Sequence, residues 1–212
     1  MKLFLASYRF GAHFEEFAAL SAGLTRVAVV ANAADGWPDS ARESGVASEI
    51  RTFRELGFQA AELDLRRFGG SAGELESELD SVDIVWVRGG NTFVLMSQLN
   101  RSGGDSAITA RVRAGSLIYA GYSAGACVAQ QSLHGIEAAD DPAEVRETTG
   151  DEVPRNGLGL VDVSFVPHFR SILDEDGAGE RMVARYEREN IAHLTLTDEQ
   201  VYLVDGDRSE RI

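Results

Sequence analysis

The chain has a single cysteine, Cys127, so no internal disulfide can form, and its Cys and His residues show no zinc-ligand spacing. No apolar stretch reaches the ~18 residues that a membrane-spanning helix needs. The start lacks a charged leader followed by a long apolar core; Met1–Tyr8 reads instead as a first strand. Basic residues are scarce beside acidic ones: 20 Lys and Arg stand against 34 Asp and Glu, a formal net charge of −14. That balance excludes non-specific attraction to nucleic acid or to an anionic lipid surface. No internal repeat and no low-complexity linker interrupts the chain. The expectation from these absences is a cytoplasmic protein that uses no metal or organic cofactor, partners neither nucleic acid nor membrane, and exists as a monomer or homodimer.

What is present is an alternation of apolar runs and amphipathic stretches over 212 residues, enough to bury a substantial core. Leu3–Ser7, Arg26–Asn32, Gln59–Asp64, Val82–Val87 and Ser116–Ala120 read as strands. Helices are expected between them, over Ala41–Leu56, Glu74–Leu79, Thr92–Asn100 and Ala107–Ala114, with another over Ala124–Gln131. Strands that are apolar on both faces and separated by helices imply a mostly parallel sheet covered on both sides. The last third reads as strands at Leu160–Val166, Leu194–Leu196 and Gln200–Asp205 around a charged helix at Glu180–Asn190, a β-rich C-terminal edge. The expected organisation is one α/β domain over residues 1–212.

The most informative segment is Leu117-Ile-Tyr-Ala-Gly-Tyr-Ser123-Ala-Gly-Ala126. It places Gly-x-Ser-x-Gly between a strand and the small residues that open a helix. Such a turn projects the serine hydroxyl from the strand end, and the glycines let the crowded backbones approach. At a helix N-terminus the Ala124 N–H is a natural donor to an oxyanion. Cys127, one turn further, reads as a buried thiol and not as the nucleophile.

The strand Val82–Val87 runs into Arg88-Gly89-Gly90-Asn91, at the strand ends where open α/β sheets bind ligands. Gly90 is the candidate second oxyanion donor. Asn91 is read either as a substrate-orienting amide or as the cap of the helix that follows. Among four histidines, His168 follows an apolar strand in Phe165-Val-Pro-His168-Phe169 and is the candidate base; His13, His134 and His193 lack supporting context. A catalytic imidazole needs a carboxylate to orient it. Asp198, Glu199, Asp140 and Asp141 all qualify by position.

Together, Arg88-Gly-Gly-Asn-Thr-Phe93, Gly121-Tyr-Ser-Ala-Gly-Ala126 and Val166-Pro-His-Phe169 resemble peptidase E (aspartyl dipeptidase) and its relatives in family S51, including cyanophycinase. The resemblance implies a flavodoxin-like, three-layer fold related to class I glutamine amidotransferases. It also implies a serine peptidase acting on small peptides, with Ser123 as nucleophile, His168 as base and an acid that is Asp198, or alternatively Glu199 or Asp140. The chain departs from the family pattern at Arg88, where a loop glycine is expected, and at Tyr122, where the elbow has tryptophan. The basic cluster after Pro-His-Phe is replaced by the acidic Arg170-Ser-Ile-Leu-Asp-Glu-Asp176. Arg170, Arg181 and Arg185 are the candidate carboxylate binders there, with a solvated helix face as the plainer reading of the last two. The competing functions are an esterase or amidase on a non-peptide substrate, and a catalytically silent binding protein of the same fold.

Overall fold

A computed structural model describes residues 1–69, 72–174 and 176–212. Five strands, β1 (Lys2–Ala6), β2 (Arg26–Val30), β3 (Gln59–Glu62), β4 (Ile84–Val87) and β5 (Ile118–Tyr122), lie parallel in the order β3-β2-β4-β5-β1. The connections carry α1 (Phe14–Leu20), α2 (Asp39–Glu55), α3 (Ala72–Leu79), α4 (Thr92–Ser102) and α5 (Gly104–Ala114). After β5 come α6 (Ala124–Cys127), α7 (Ala143–Thr148), β6 (Ser164–Val166), α8 (Ala178–Glu189) and β7 (His193–Thr195). The chain ends in β8 (Val201–Asp205), antiparallel to β1, and β9 (Arg208–Arg211), antiparallel to β8.

Alternation along the strands sorts the core into two layers. Leu3, Leu5, Val85, Val87 and Tyr119 face the side covered by α3, α4, α5 and α8. Phe4, Ala6, Ile84, Trp86 and Tyr122 face Phe17 of α1 and Phe53 of α2. Trp86 is fully buried there, with the rings of Phe10, Phe53 and Phe17 at 4.7, 5.1 and 5.8 Å. Burial of each such side chain contributes roughly 1.5–3 kcal/mol. The result is the three-layer α/β fold expected from the sequence, with the C-terminal ends of β1, β2, β4 and β5 on one rim. No helix among the described residues is long and apolar enough to cross a membrane.

Two element boundaries differ from expectation for one reason. The helix expected over Ala124–Gln131 stops at Cys127, and the strand expected over Leu160–Val166 begins only at Ser164. Residues 128–133 and 155–161 instead bond to each other: Leu158 N–H to Val128 O at 2.7 Å, Leu160 N–H to Ala129 O at 2.8 Å and Leu133 N–H to Arg155 O at 2.9 Å. The Val128 and Ala129 carbonyls would otherwise have continued the helix. A Cβ on Gly157 would lie 2.3 Å from the Gln130 carbonyl, so only glycine permits the approach. β6 then pairs with β7 in a separate two-stranded parallel sheet, which carries His168 to the rim.

Candidate active site

Ser123 follows β5 directly and caps α6 with φ +53° and ψ −117°, a conformation that costs a non-glycine residue of order 1–3 kcal/mol. Close packing holds it there. A Cβ on Gly125 would lie 2.1 Å from the Val87 carbonyl, and the Tyr119 hydroxyl donates to the Gly125 carbonyl at 2.6 Å. The Ser123 N–H donates to Ala6 O at 3.1 Å, tying the turn to β1. Gly90 has φ +150°, and a Cβ there would meet the Ala33 carbonyl at 2.4 Å. Its neighbour Gly89 lies against Ser123, where an added Cβ would be 3.0 Å from the serine Cβ. Among the described residues, neither the Gly90 nor the Ala124 N–H is engaged by a backbone acceptor outside regular elements.

Ser123, Ala124 and Cys127 line one wall of a cavity of about 420 Å³; His168, Asp140 and Met182 line others. His168 also sits at a left-handed φ, +57°. Its backbone N–H donates to the Ser7 hydroxyl at 2.7 Å, and its Nδ1 lies 2.6 Å from Asp198 Oδ1. Asp198 further accepts from the Ser7 hydroxyl at 3.2 Å and, through Oδ2, from the Ser171 hydroxyl. Burial pushes the Asp198 carboxyl up, but the bonds from Ser171, His168 and Ser7 outweigh it and hold its pKa below the usual range. An ionised carboxylate only accepts, so the proton of neutral His168 resides on Nδ1 and Nε2 keeps its lone pair.

The other candidates are placed differently. Asp140 lines the cavity, but its Oδ2 accepts the Thr92 N–H at 2.8 Å instead of bonding the imidazole. Burial pushes Asp140 up to about 6, against the lowering effect of Thr92 and His168. Glu199 is exposed, and its carbonyl accepts from Ala12 N–H at 3.0 Å. Asn91 is not available to orient a substrate. Its Oδ1 caps α4 through the Phe93 and Val94 N–H groups at 2.9 and 3.1 Å, and its Nδ2 donates to Asp141 O at 2.8 Å. Arg170 stacks on Phe169, 5.0 Å from the ring centroid, and is absent from the cavity wall. Arg185 pairs with Glu137, whereas Arg181 lines the cavity and donates to the Asp176 and Ala138 carbonyls. Cys127 is buried; burial first, then Asp140, raise its pKa, so it stays a thiol. Among the described residues, no metal-ligating group of three or more His, Cys, Asp or Glu forms.

Sequence reasoning missed Ser7 and Ser171. Ser7 ends the first strand, and the rule that ligands sit at the C-terminal strand ends could have flagged it. Ser171 carried no signal; only the turn after His168 brings it to Asp198.

The model of peptidase family S51 matches residues 15–212. The chain belongs to that family. It is 34% identical over 121 residues to the uncharacterized peptidase Lmo0363 of Listeria monocytogenes, covering 57% of this chain and 56% of the relative. It is 30% identical over 155 residues to the uncharacterized peptidase Lin0382 of Listeria innocua, covering 73% and 70%. It is 33% identical over 145 residues to peptidase E of Streptomyces coelicolor, covering 65% and 55%. The chain thus spans just over half the length of the first and third of these S51 relatives. In the fold, a solved Listeria monocytogenes structure superposes with a TM-score of 0.81 at 24% identity, covering 100% of this chain and 97% of the other. A peptidase from an acI-B1 Actinobacterium superposes with a TM-score of 0.73 at 15% identity, covering 100% and 86%.

Proposed function

We propose that this S51 member is a serine peptidase that hydrolyses short peptides through an acyl-enzyme on Ser123. The observation that carries the reading is the His168–Asp198 bond of 2.6 Å, made by a histidine that lines the same cavity as Ser123. It commits Nδ1 and leaves the Nε2 lone pair free to act as the base in the proposed reaction. In the proposed reaction, Nε2 takes the Ser123 proton as Oγ attacks the scissile carbonyl. The Gly90 and Ala124 N–H groups receive the developing oxyanion. Protonated His168 then hands its proton to the leaving amine. Water, deprotonated by the same nitrogen, releases the acyl group.

The test is a dipeptide and tripeptide library assayed on the wild type and on Ser123→Ala, with acyl esters as a parallel arm. Peptide hydrolysis that disappears in Ser123→Ala, together with fluorophosphonate labelling at Ser123, is the expected result. Full peptide hydrolysis by Ser123→Ala overturns the mechanism. Ester turnover without peptide turnover overturns the substrate class. Failure of fluorophosphonate to label the folded protein points to a silent binding protein.

A further inference from the structure

Arg88 is the first residue after β4, and its backbone N–H donates to Val30 O at 2.9 Å. Its side chain lies against α2 and is not part of the cavity wall. Three residues seat the guanidinium there. The Trp37 ring stacks on it, 5.1 Å from Cζ to the ring centroid. Gly45 of α2 leaves room for it, since an added Cβ would stand 3.0 Å from Cζ and Nη2. Glu49, one turn further along α2, places Oε1 3.9 Å from Nε. Glu49 is 3% exposed, and its oxygens accept from the Tyr122 hydroxyl at 2.8 Å and the Trp86 indole at 3.1 Å. A carboxylate buried so deeply needs a cation beside it, and the guanidinium supplies one. Arg88 Nε is buried without a hydrogen-bond acceptor among the described residues, so charge and packing hold the group in its seat.

One hydrogen bond leaves this seat toward the elbow. Arg88 Nη1 donates to the Gly89 carbonyl at 3.2 Å. No backbone N–H among the described residues takes that carbonyl. The Gly89 carbonyl and the Gly90 N–H belong to one peptide group. The group is planar and trans, so the two point in opposite directions. A guanidinium that holds the carbonyl on one side therefore turns the N–H to the other. Glycines on both sides of the peptide leave it free to rotate unless something fixes it, and Gly90 takes a φ of +150°. Gly89 also lies against the elbow: an added Cβ would be 3.0 Å from the Ser123 Cβ and 3.1 Å from the Tyr122 ring. A hydrogen bond to a peptide carbonyl polarises the whole group and strengthens its N–H as a donor.

We propose that Arg88 is a positioning residue: its guanidinium, seated by Trp37, Gly45 and Glu49, clamps the Gly89 carbonyl and so aims and polarises the Gly90 N–H as an oxyanion donor for Ser123. The inference rests on the acyl-enzyme reading, which gives Gly90 that role. Arg88 touches no reacting atom and acts only through the peptide it holds. Its effect is felt as negative charge develops on the substrate oxygen, and not when the substrate binds. Loss of the clamp therefore lowers kcat and leaves KM nearly as it was.

The test compares peptide turnover by wild type with that of Arg88→Met, which keeps an apolar stem and loses the donor, and of Arg88→Lys, which restores a donor. In Arg88→Met, kcat should fall roughly 10–100-fold at nearly constant KM, less than the loss on deleting an oxyanion donor outright. Arg88→Lys should recover part of kcat. Trp37→Ala covers the case in which Arg88→Met fails to fold over Glu49. That ring is 41% exposed, and its loss loosens the seat while Glu49 keeps its cation. A smaller fall in kcat, again at constant KM, is expected. The Gly90 amide ¹⁵N resonance reports the hydrogen bond at the carbonyl of its own peptide. It should move in Arg88→Met and in Trp37→Ala, and return toward the wild-type position in Arg88→Lys. An unmoved resonance, an unchanged kcat, or a loss carried by KM overturns the clamp; where wild-type turnover is abolished by Ser123→Ala, the peptidase reading stands without it. Turnover that survives Ser123→Ala overturns the acyl-enzyme reading and this role for Arg88 with it.

Discussion

Ser123 and His168 both sit at a left-handed φ, +53° and +57°, yet different forces hold them there. The serine is held by backbone crowding. Gly125 presses on the Val87 carbonyl, Gly89 on Ser123 itself and Gly90 on the Ala33 carbonyl. The histidine is held by hydrogen bonds to side chains of two separate segments, Ser7 after β1 and Asp198 before β8, and Asp198 is itself held by Ser171 in the turn after the histidine. Steric crowding is insensitive to pH and fails abruptly when a methyl is added. A hydrogen-bonded carboxylate loses its hold with protonation and fails by degrees. The elbow should therefore respond to volume, and the imidazole arm to polarity and pH.

The sharpest test of that contrast is Ser123→Ala, which removes the proposed nucleophile and leaves the crowding intact. Peptide turnover should fall by roughly 10⁶-fold while the thermal midpoint moves little. Asp198→Asn comes next. The isostere keeps the shape of the arm but reverses the donor relation at Nδ1, and kcat should fall by roughly 10⁴-fold. The same substitution bears on acid stability. The Asp198 pKa is depressed in the fold, so its stabilisation is fully present above the unfolded value of 3.8 and is lost as pH falls below it. Urea titrations at pH 7 and pH 3 should therefore differ less for Asp198→Asn than for wild type.

Gly125→Ala probes the elbow. Its Cβ cannot be accommodated 2.1 Å from a carbonyl oxygen, and denaturant unfolding should show a loss of about 3 kcal/mol or more, with turnover lost alongside. A stable, active Gly125→Ala protein would break the comparison at its first term. Asp140→Asn is the pH control on the cavity wall. The folded pKa of about 6 exceeds the unfolded 3.8, so ionisation destabilises the fold as pH rises through that window. The amide should raise stability by roughly 1–3 kcal/mol at pH 8 and leave it nearly unchanged at pH 4. The smallest effect is expected from Ser7→Ala, which leaves the His168 N–H without its acceptor. A cost of roughly 1–2 kcal/mol and a fall in kcat larger than any change in KM should follow.

The contrast also accounts for what could be read in advance. Gly-x-Ser-x-Gly after an apolar run marks the elbow, because crowding demands glycine at fixed spacing whatever the remainder of the chain does. The arm has no such local signature. Asp198 was one of several carboxylates near the right rim, and the bonds of Ser7 and Ser171 depend on how three distant segments dock. Asn91 was legible as a cap by local chemistry, since an Asn before an apolar helical stretch satisfies the first free N–H groups. The length of α6 was not, because the N–H donors that take the Val128 and Ala129 carbonyls come from residues about thirty positions away.

Short-range sterics and alternating hydrophobicity therefore determined, from the sequence alone, the layered α/β fold, the position of Ser123 and the placement of His168 after an apolar strand. Choosing Asp198 over Asp140 as the partner of His168 and recruiting Ser7 and Ser171 were decided only in three dimensions. Each depends on hydrogen-bond geometry and charge between segments brought together by the packing of the sheet, and that geometry has no expression in residue spacing.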